Sequence, residues 1–389
     1  MNAVDRKLKK VREILEEKNL DAILVSSRSN LIYLTGYPFF LDDREAFLII
    51  THDKSFALVS GLIQTELKIK APFLTFSDPN ASPRRLSTYL SELSKKESFQ
   101  HIGFEANDLT VEEYTNLKNQ NITFVPVNLN SIRNIKGKEE IEAIAKACTL
   151  GDQAFSYILK EVKPGITEKE LAFLLETYIR EKGAKPSFEA IIAFGPNSAV
   201  IHHLSDETKL KSKDNILFDF GVKVDNYCSD MSRTVFIGKP SAEQKKIYET
   251  VRIAQEKSFE YLQNFRVAGE EGIPLTRTET KSKEHLREGN ERQDPKILAK
   301  GIDSVARNYV ISQGYPNFPH SSHGIGIEIH EAPSLSPAST EVIKPGMVFS
   351  VEPGVYIPGF MGVRIEDIVT MTEKGPKILT TSPRELAML

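Results

Sequence analysis

The sequence predicts an α+β protein in two parts, a small α/β domain over residues 1–132 and a larger domain of helices and paired strands over residues 133–389. Three observations carry that reading. Short β-type runs alternate with amphipathic helical runs through the first third, a long Glu-, Lys- and Ala-rich helical pattern follows, and beyond it strands come as hairpins separated by helices. A chain of 389 residues is long enough for two cores, and its apolar and charged fractions are those of an ordinary globular protein.

The chain opens on a helix whose apolar face is Val4, Leu8, Val11 and Leu15. Asp21-Ala-Ile-Leu-Val25, Ala46-Phe-Leu-Ile-Ile50 and Ser55-Phe-Ala-Leu-Val59 are short β-type runs between polar turns. Helical and strand patterns then alternate through Ser82 to Lys95, Ile102 to Phe104, Val111 to Leu117 and Phe124 to Val127. Near Asn130-Ser-Ile-Arg-Asn-Ile-Lys-Gly137 the pattern changes to a helix from about Lys138 to Lys160, which marks the boundary. Thr167 and Glu170 have capping-box spacing ahead of a helix with Leu171, Leu174, Leu175, Tyr178 and Ile179 on one face, and Ser241 with Gln244 opens another helix in the same way. Phe188 to Gly195 reads as a strand ending in glycine, and a further helix spans Lys296 to Val310.

Leu217-Phe-Asp-Phe-Gly221 and Tyr227-Cys-Ser-Asp-Met-Ser-Arg-Thr234 flank the polar connection Lys223-Val-Asp-Asn226 and read as a β-hairpin. With the loop centred between Val224 and Asp225, Asp219 falls directly opposite Asp230. Two like charges about 5 Å apart repel by roughly 3 kcal/mol at an effective dielectric near 20, which drives one carboxyl to neutrality unless a cation lies between them. A second hairpin, centred on Gly359, places Glu352 opposite Glu366. Between the hairpins, His323-Gly-Ile-Gly326 offers an imidazole in a loop whose glycines let backbone approach a ligand. Four carboxylates and one imidazole match two divalent ions of the manganese, cobalt or zinc type, and a dinuclear hydrolytic site is the chemistry they suggest. Helix, histidine-bearing loop, acidic hairpin is an order that occurs twice, as in two related halves facing their acids across one cleft.

A formal charge of −3 leaves no basic footprint for nucleic acid or an anionic membrane, and neither partner is expected. The first residues lack a signal-peptide core and no apolar run reaches membrane length, so a cytoplasmic location is expected. Cys148 and Cys228 are too few for a disulfide framework. Cys228 shares a strand face with Asp230 and reads as a small core residue rather than a ligand.

The motifs Phe218-Asp-Phe-Gly221, Tyr227-Cys-Ser-Asp-Met-Ser-Arg-Thr234, His323-Gly-Ile-Gly-Ile-Glu-Ile-His-Glu331, Val351-Glu-Pro-Gly354 and Arg364-Ile-Glu-Asp367 together resemble the metallopeptidases of the pita-bread fold. The likeness is to the aminopeptidase P and prolidase branch, which cuts Xaa-Pro bonds. Ala22-Ile-Leu-Val25 and Asn30-Leu-Ile-Tyr-Leu-Thr-Gly36 resemble the non-catalytic N-terminal domain of that branch, which methionine aminopeptidases usually lack. The resemblance implies that Asp219 binds one metal, that His323 and Glu352 bind the other, and that Asp230 and Glu366 bridge them, with manganese foremost and cobalt or zinc as alternatives. It implies that Glu352 is also a general base, that His202 and His330 hold the oxyanion and the departing proline nitrogen, that the substrate is a short peptide with proline second, and that the protein is a homodimer.

Rivals stand beside several of these roles. His203 competes with its neighbour His202, and a packed core histidine is the alternative for His330. Arg364 leaves its strand on the same face as Glu366 and is expected either to hold a ligating carboxylate, next to bound substrate, or to form a surface ion pair. Arg233 points to the opposite face and is expected to be structural. Phe318, Tyr356 and Phe360 are candidates for a wall against the pyrrolidine ring. The chain departs from the family pattern in two places. Phe318-Pro-His-Ser-Ser-His323 is one residue short of a His-X-X-Gly-His arrangement, which shifts His320 relative to His323, and residues 266–295 form a charged insertion. A catalytically impaired binding protein on this fold and a hydrolase of a non-peptide C–N bond are the competing functions.

Overall fold

The computed structural model describes residues 3–39, 46–60, 74–78, 83–118, 121–264, 297–316, 318 and 321–389. His320 and the charged insertion at 266–295 lie outside the described residues. The chain divides into two compact units, Met1–Asn134 and Ile135–Leu389.

The first unit contains α1 (Ala3–Lys18), β1 (Ala22–Val25), α2 (Arg28–Thr35), β2 (Ala46–Thr51), β3 (Ser55–Ser60), β4 (Leu74–Asp78), α3 (Pro83–Glu97), β5 (His101–Glu105), α4 (Val111–Lys118) and β6 (Thr123–Val127). Its six strands form one mixed sheet in the order β4-β3-β2-β1-β5-β6. The central strands β1 and β2 are apolar runs, broken only by Thr51 at the end of β2, because both of their faces are covered, and every residue in them is buried. Leu24, Ile49, Phe56, Leu86, Leu90 and Phe104 form the core on one side. On α1, Leu8, Val11 and Leu15 are buried as the periodicity predicts.

The second unit contains α5 (Lys138–Glu161), α6 (Glu168–Glu181), β7 (Lys185–Pro186), β8 (Ile191–Phe194), β9 (Asn215–Phe220), β10 (Val222–Val224), β11 (Tyr227–Cys228), β12 (Met231–Phe236), α7 (Ala242–Gln263) and α8 (Ala299–Ser312), then β13 (His323–Gly324), β14 (Glu331–Ser334), β15 (Val348–Val351), β16 (Gly354–Ile357), β17 (Met361–Arg364), β18 (Asp367–Thr372), β19 (Gly375–Ile378) and β20 (Ala387–Met388). A four-stranded sheet runs β20-β12-β9-β8 and a five-stranded one β14-β13-β15-β18-β19. Both expected capping boxes are present, Thr167 with Glu170 on α6 and Ser241 with Gln244 on α7.

Strand alternation places the first acid. Ile216, Phe218 and Phe220 of β9 pack with Phe155, Leu171 and Leu175 of α5 and α6, so Leu217 and Asp219 point the other way. The first hairpin differs from expectation in register: Asp219 pairs with Ser232, not Asp230. The cause is the turn. Its central residues are Asp225 and Asn226, both at positive φ (49° and 71°), a conformation that Asp and Asn tolerate and β-branched Val224 resists. Moving the turn by one residue shifts the pairing by two, so Asp230 lies diagonally from Asp219 on the same face rather than opposite it. Gly221 is required where the strand bends, because a Cβ there would overlap the Ser229 carbonyl.

The second hairpin has the predicted register. Gly354 pairs with Arg364 in one ladder and Val351 with Asp367 in the other, which sets Glu352 across from Glu366 in the gap between the two ladders. Gln255 of α7 fills that gap, its amide nitrogen donating to Val351 O (3.0 Å), Ile365 O (3.1 Å) and Asp367 Oδ2 (3.0 Å).

Candidate active site

Two backbone contacts bring the acidic hairpins and the histidine loop together. Glu366 N donates to Ser232 O (3.1 Å), joining the hairpins, and Cys228 N donates to Gly326 O (2.7 Å), joining the glycine loop to the first hairpin. Lys223 Nζ adds a bond to Ile327 O at 2.9 Å. A cleft of about 190 Å³ results, and all eight residues given a metal, catalytic or substrate-binding role from the sequence line it: His202, Asp219, Asp230, His323, His330, Glu352, Arg364 and Glu366.

Within the cleft, His323 Nε2 lies 3.3 Å from Glu352 Oε1 and 3.7 Å from Asp230 Oδ2. Ligand atoms of Asp230, His323 and Glu366 all fall within 4.8 Å of one another. The shortened loop has therefore not carried His323 away from the acids. The residue before it, Ser322, accepts a bond from Glu352 N (3.1 Å), and His323 N donates to Ser350 Oγ (3.0 Å), which in turn donates to Glu352 Oε1 (2.7 Å). Histidine and glutamate are thus fixed to each other through two serines.

The acids are of two kinds. Asp219 is held by the buried Arg364 guanidinium, whose Nη2 donates to Asp219 Oδ2, Nε to Ser232 Oγ (2.7 Å) and Nη1 to the Tyr356 hydroxyl (2.7 Å). The surface-pair alternative for Arg364 is excluded, and the carboxylate it grips is Asp219 rather than Glu366. Burial opposes the charge on Arg364, but Asp219 leads the neighbours that outweigh it, and the guanidinium pKa sits well above its ordinary value. Burial pushes the Tyr356 phenol up to about 12.

The carboxyls of Asp230 and Glu366 accept no hydrogen bond from a lysine or arginine among the described residues, and the charge of Arg364 offsets their repulsion only in part. Burial first, and then neighbouring acids (Glu366, Asp219 and Glu352 for Asp230; Glu352 and Asp219 for Glu366), raise both carboxyls well above the ordinary range. Asp230 Oδ1 and Glu366 Oε1 are buried with no hydrogen-bond partner among the described residues. Buried, unsatisfied acid oxygens facing one imidazole fit a divalent cation. The donor set, oxygen-rich with one nitrogen, is that of a hard or borderline ion. Burial lowers the His323 pKa, leaving the neutral imidazole a ligand must be.

His330 is exposed at the cleft, its ring 4.2 Å from that of His323 in an edge-to-face arrangement, so the packed-core alternative is overturned. Burial, followed by the neighbouring His323, lowers its pKa. Of the adjacent histidines, His202 reaches the cleft, whereas His203 turns away to Glu168. Arg233 is buried and binds Asp367 Oδ1 (2.6 Å) together with the carbonyls of Ser382 and Pro383 (2.7 and 2.9 Å), a structural role as expected.

The apolar wall is not the predicted one. Phe318 lies in the core against Arg307, Tyr356 stands behind Arg364, and Phe360 packs on the same core. The apolar lining comes instead from Phe188, Ile191, Ile201 and Ile329. Ser232 and Ser350 also escaped the sequence reading, although Ser232 follows Asp230 by two and Ser350 precedes Glu352 by two, the same-face spacing of strands.

Residues 142–373 match the model of metallopeptidase family M24, and residues 7–135 match that of the creatinase/prolidase N-terminal domain. The chain belongs to metallopeptidase family M24. Among M24 relatives, it is 31% identical to a protein named Xaa-Pro dipeptidase from Pyrococcus horikoshii, over 99% of this chain and 100% of the relative. Among solved structures, the Xaa-Pro dipeptidase from Bacillus anthracis superimposes with a TM-score of 0.86 at 29% identity, covering 100% of both chains. The X-Pro aminopeptidase from Thermotoga maritima gives 0.79 at 27% identity, covering 95% of this chain and 98% of that one. The M24 match and these structures establish a pita-bread catalytic domain that follows a creatinase-type N-terminal domain in the sequence.

Proposed function

We propose that the protein hydrolyses Xaa-Pro bonds, in dipeptides or at the N-terminus of short peptides, using two divalent ions held by Asp219, Asp230, His323, Glu352 and Glu366. The observation that carries this reading is the convergence of all five side chains on one cleft, with the buried oxygens of Asp230 and Glu366 left without hydrogen bonds. Asp219 and the His323–Glu352 pair would each hold one ion, and Asp230 and Glu366 would bridge. Manganese is the first choice, with cobalt or zinc as alternatives. When bound, such ions polarise the scissile carbonyl and lower the pKa of water. The names of the matched relatives support both substrate lengths.

The chain's own groups supply the rest. Glu352, fixed through Ser350, takes the proton of the attacking water. His330, kept neutral by its lowered pKa, and His202 donate hydrogen bonds to the oxygen that becomes negative and to the departing proline nitrogen. Arg364 holds Asp219 in one orientation beside bound substrate. An Xaa-Pro bond is a tertiary amide with no N–H to recognise, so the ring must be read by shape, and Phe188, Ile191, Ile201 and Ile329 offer the apolar surface for it. We assign catalysis to residues 133–389 and a non-catalytic role to 1–132, in a cytoplasmic homodimer.

The test is hydrolysis of Ala-Pro and of Ala-Pro-Ala after reconstitution with manganese, cobalt or zinc. Cleavage of either at the Xaa-Pro bond is expected. Cleavage of neither by protein carrying two ions would refute the proposal.

A further inference from the structure

Glu168 is fully buried at the start of α6, yet it faces no lysine or arginine among its hydrogen-bonding partners. Its oxygens accept four N–H groups, two each: Phe194 N (2.7 Å) and Asn197 Nδ2 (3.0 Å) on Oε1, His203 Nε2 (2.6 Å) and Asp206 N (3.2 Å) on Oε2. Glu168, His203 and Asp206 also have the spacing of a metal-binding triad. The donors decide against that use, because a carboxylate has about four lone-pair directions and all four are taken. The cluster is a clamp rather than a cation site.

What the clamp holds is the segment from Phe194 to Asp206, which carries His202. Its ends have further anchors besides Glu168: β8 pairs with β9, and Lys169 N donates to Asp206 O at 3.1 Å. Between the ends, the side chains of Asn197 and His203 reach back to the buried acid, and His203 is the one next to His202. His202 lies inside a turn closed by His203 N donating to Val200 O (3.2 Å), and its side chain lines the cleft while that of His203 goes to Glu168, so anchoring His203 fixes the turn that presents His202.

We propose that Glu168 and His203 are positioning residues for His202, acting on the hydrolysis only through the direction they give its imidazole. This rests on the proposed role of His202 in Xaa-Pro cleavage. It makes the paired histidines a division of labour in which one touches substrate and its neighbour holds the loop.

The test is a double-mutant cycle on the manganese-loaded enzyme, paired with amide hydrogen exchange on the metal-free chain. His203→Ala should lower kcat by about 10-fold or more with KM changed less than about twofold, as loss of an orienting partner does. His203→Gln, whose amide can still donate to Glu168, should recover most of the rate. In a His202→Ala background, His203→Ala should cost less than about twofold further, because residues acting through one another are not additive. Exchange of amides 200–206 should quicken about 10-fold or more in His203→Ala while the interior of α6 is unchanged. A full additional loss in the His202→Ala background, or loop exchange equal to wild type, would overturn the inference. If the wild-type enzyme cleaves no Xaa-Pro substrate, the functional reading falls, and the exchange experiment still decides the clamp.

Discussion

The two acidic hairpins do one job with different construction. In the first, a two-residue turn at Asp225-Asn226 sets Asp219 and Asp230 on a diagonal, and Arg364 neutralises Asp219. In the second, Glu352 and Glu366 face each other across a break in the ladder propped by Gln255, with serines hydrogen-bonded to both. Asp219 is thus satisfied by the fold, while Asp230 and Glu366, where the hairpins meet, are left short of positive charge. A protein interior tolerates such acids poorly, so their placement is costly to the metal-free fold and favourable once a cation arrives.

Breaking the unsatisfied side of that comparison should have the largest effect. Asp230→Asn or Glu366→Gln should cut Xaa-Pro hydrolysis by at least about 10³-fold, since a site worth several kcal/mol of charge stabilisation loses a shared ligand. Metal analysis should show fewer than two ions per chain. The same variants should raise the melting temperature of the metal-free protein at pH 8, because a neutral amide replaces a buried acid that resists ionisation. A metal-free melting temperature that falls instead would contradict the contrast drawn here.

Breaking the satisfied side should be milder for catalysis. Arg364→Met leaves Asp219 buried without its partner, and we expect a 10–100-fold loss of kcat, typical of removing a group that orients a ligand. Stability of the metal-free chain should drop by about 3–5 kcal/mol, the usual cost of breaking one side of a buried pair, read by chemical denaturation.

The pH dependence follows from the raised pKa values of Asp230 and Glu366. Their contribution to metal-free stability is fully present below the unfolded carboxyl pKa, near 4, and is lost as pH climbs toward the raised folded values. Bound cations reverse the preference in favour of the ionised acids. Manganese should therefore raise the melting temperature more at pH 8 than at pH 5.5; at a hundredfold excess over its Kd each bound ion stabilises by about 2.7 kcal/mol. Equal gains at both pH values, seen by scanning calorimetry, would argue against cation binding at these acids. Smallest of all, Gln255→Met should cost about 1–3 kcal/mol through unsatisfied carbonyls, with ion binding weakened but not lost.

Much of this was legible in the sequence because the signals are local. Capping boxes, the apolar face of α1 and the Gly359-centred register each depend on neighbours a few residues apart. The first register was misread because Val224 was admitted to a turn that needs two left-handed residues, and Asp225-Asn226 beside it was the better signal. The apolar lining was misassigned because Phe318 and Tyr356 are taken up by Arg307 and Arg364 instead of facing the cleft; the Gly359-centred register already set Tyr356 two residues diagonally from Arg364. The loop before His323 reads as one residue short, a departure that threatened the position of His323, whereas Ser322 within it uses its hydroxyl to hold Glu352 N.

The central claim is that these five side chains cage a pair of cations, and anomalous diffraction from manganese-soaked crystals tests it most directly. The account predicts two peaks about 3.5–4 Å apart, as in other two-metal sites, with Asp230 and Glu366 between them. No peak within reach of Asp219, Asp230, His323, Glu352 and Glu366 would contradict it.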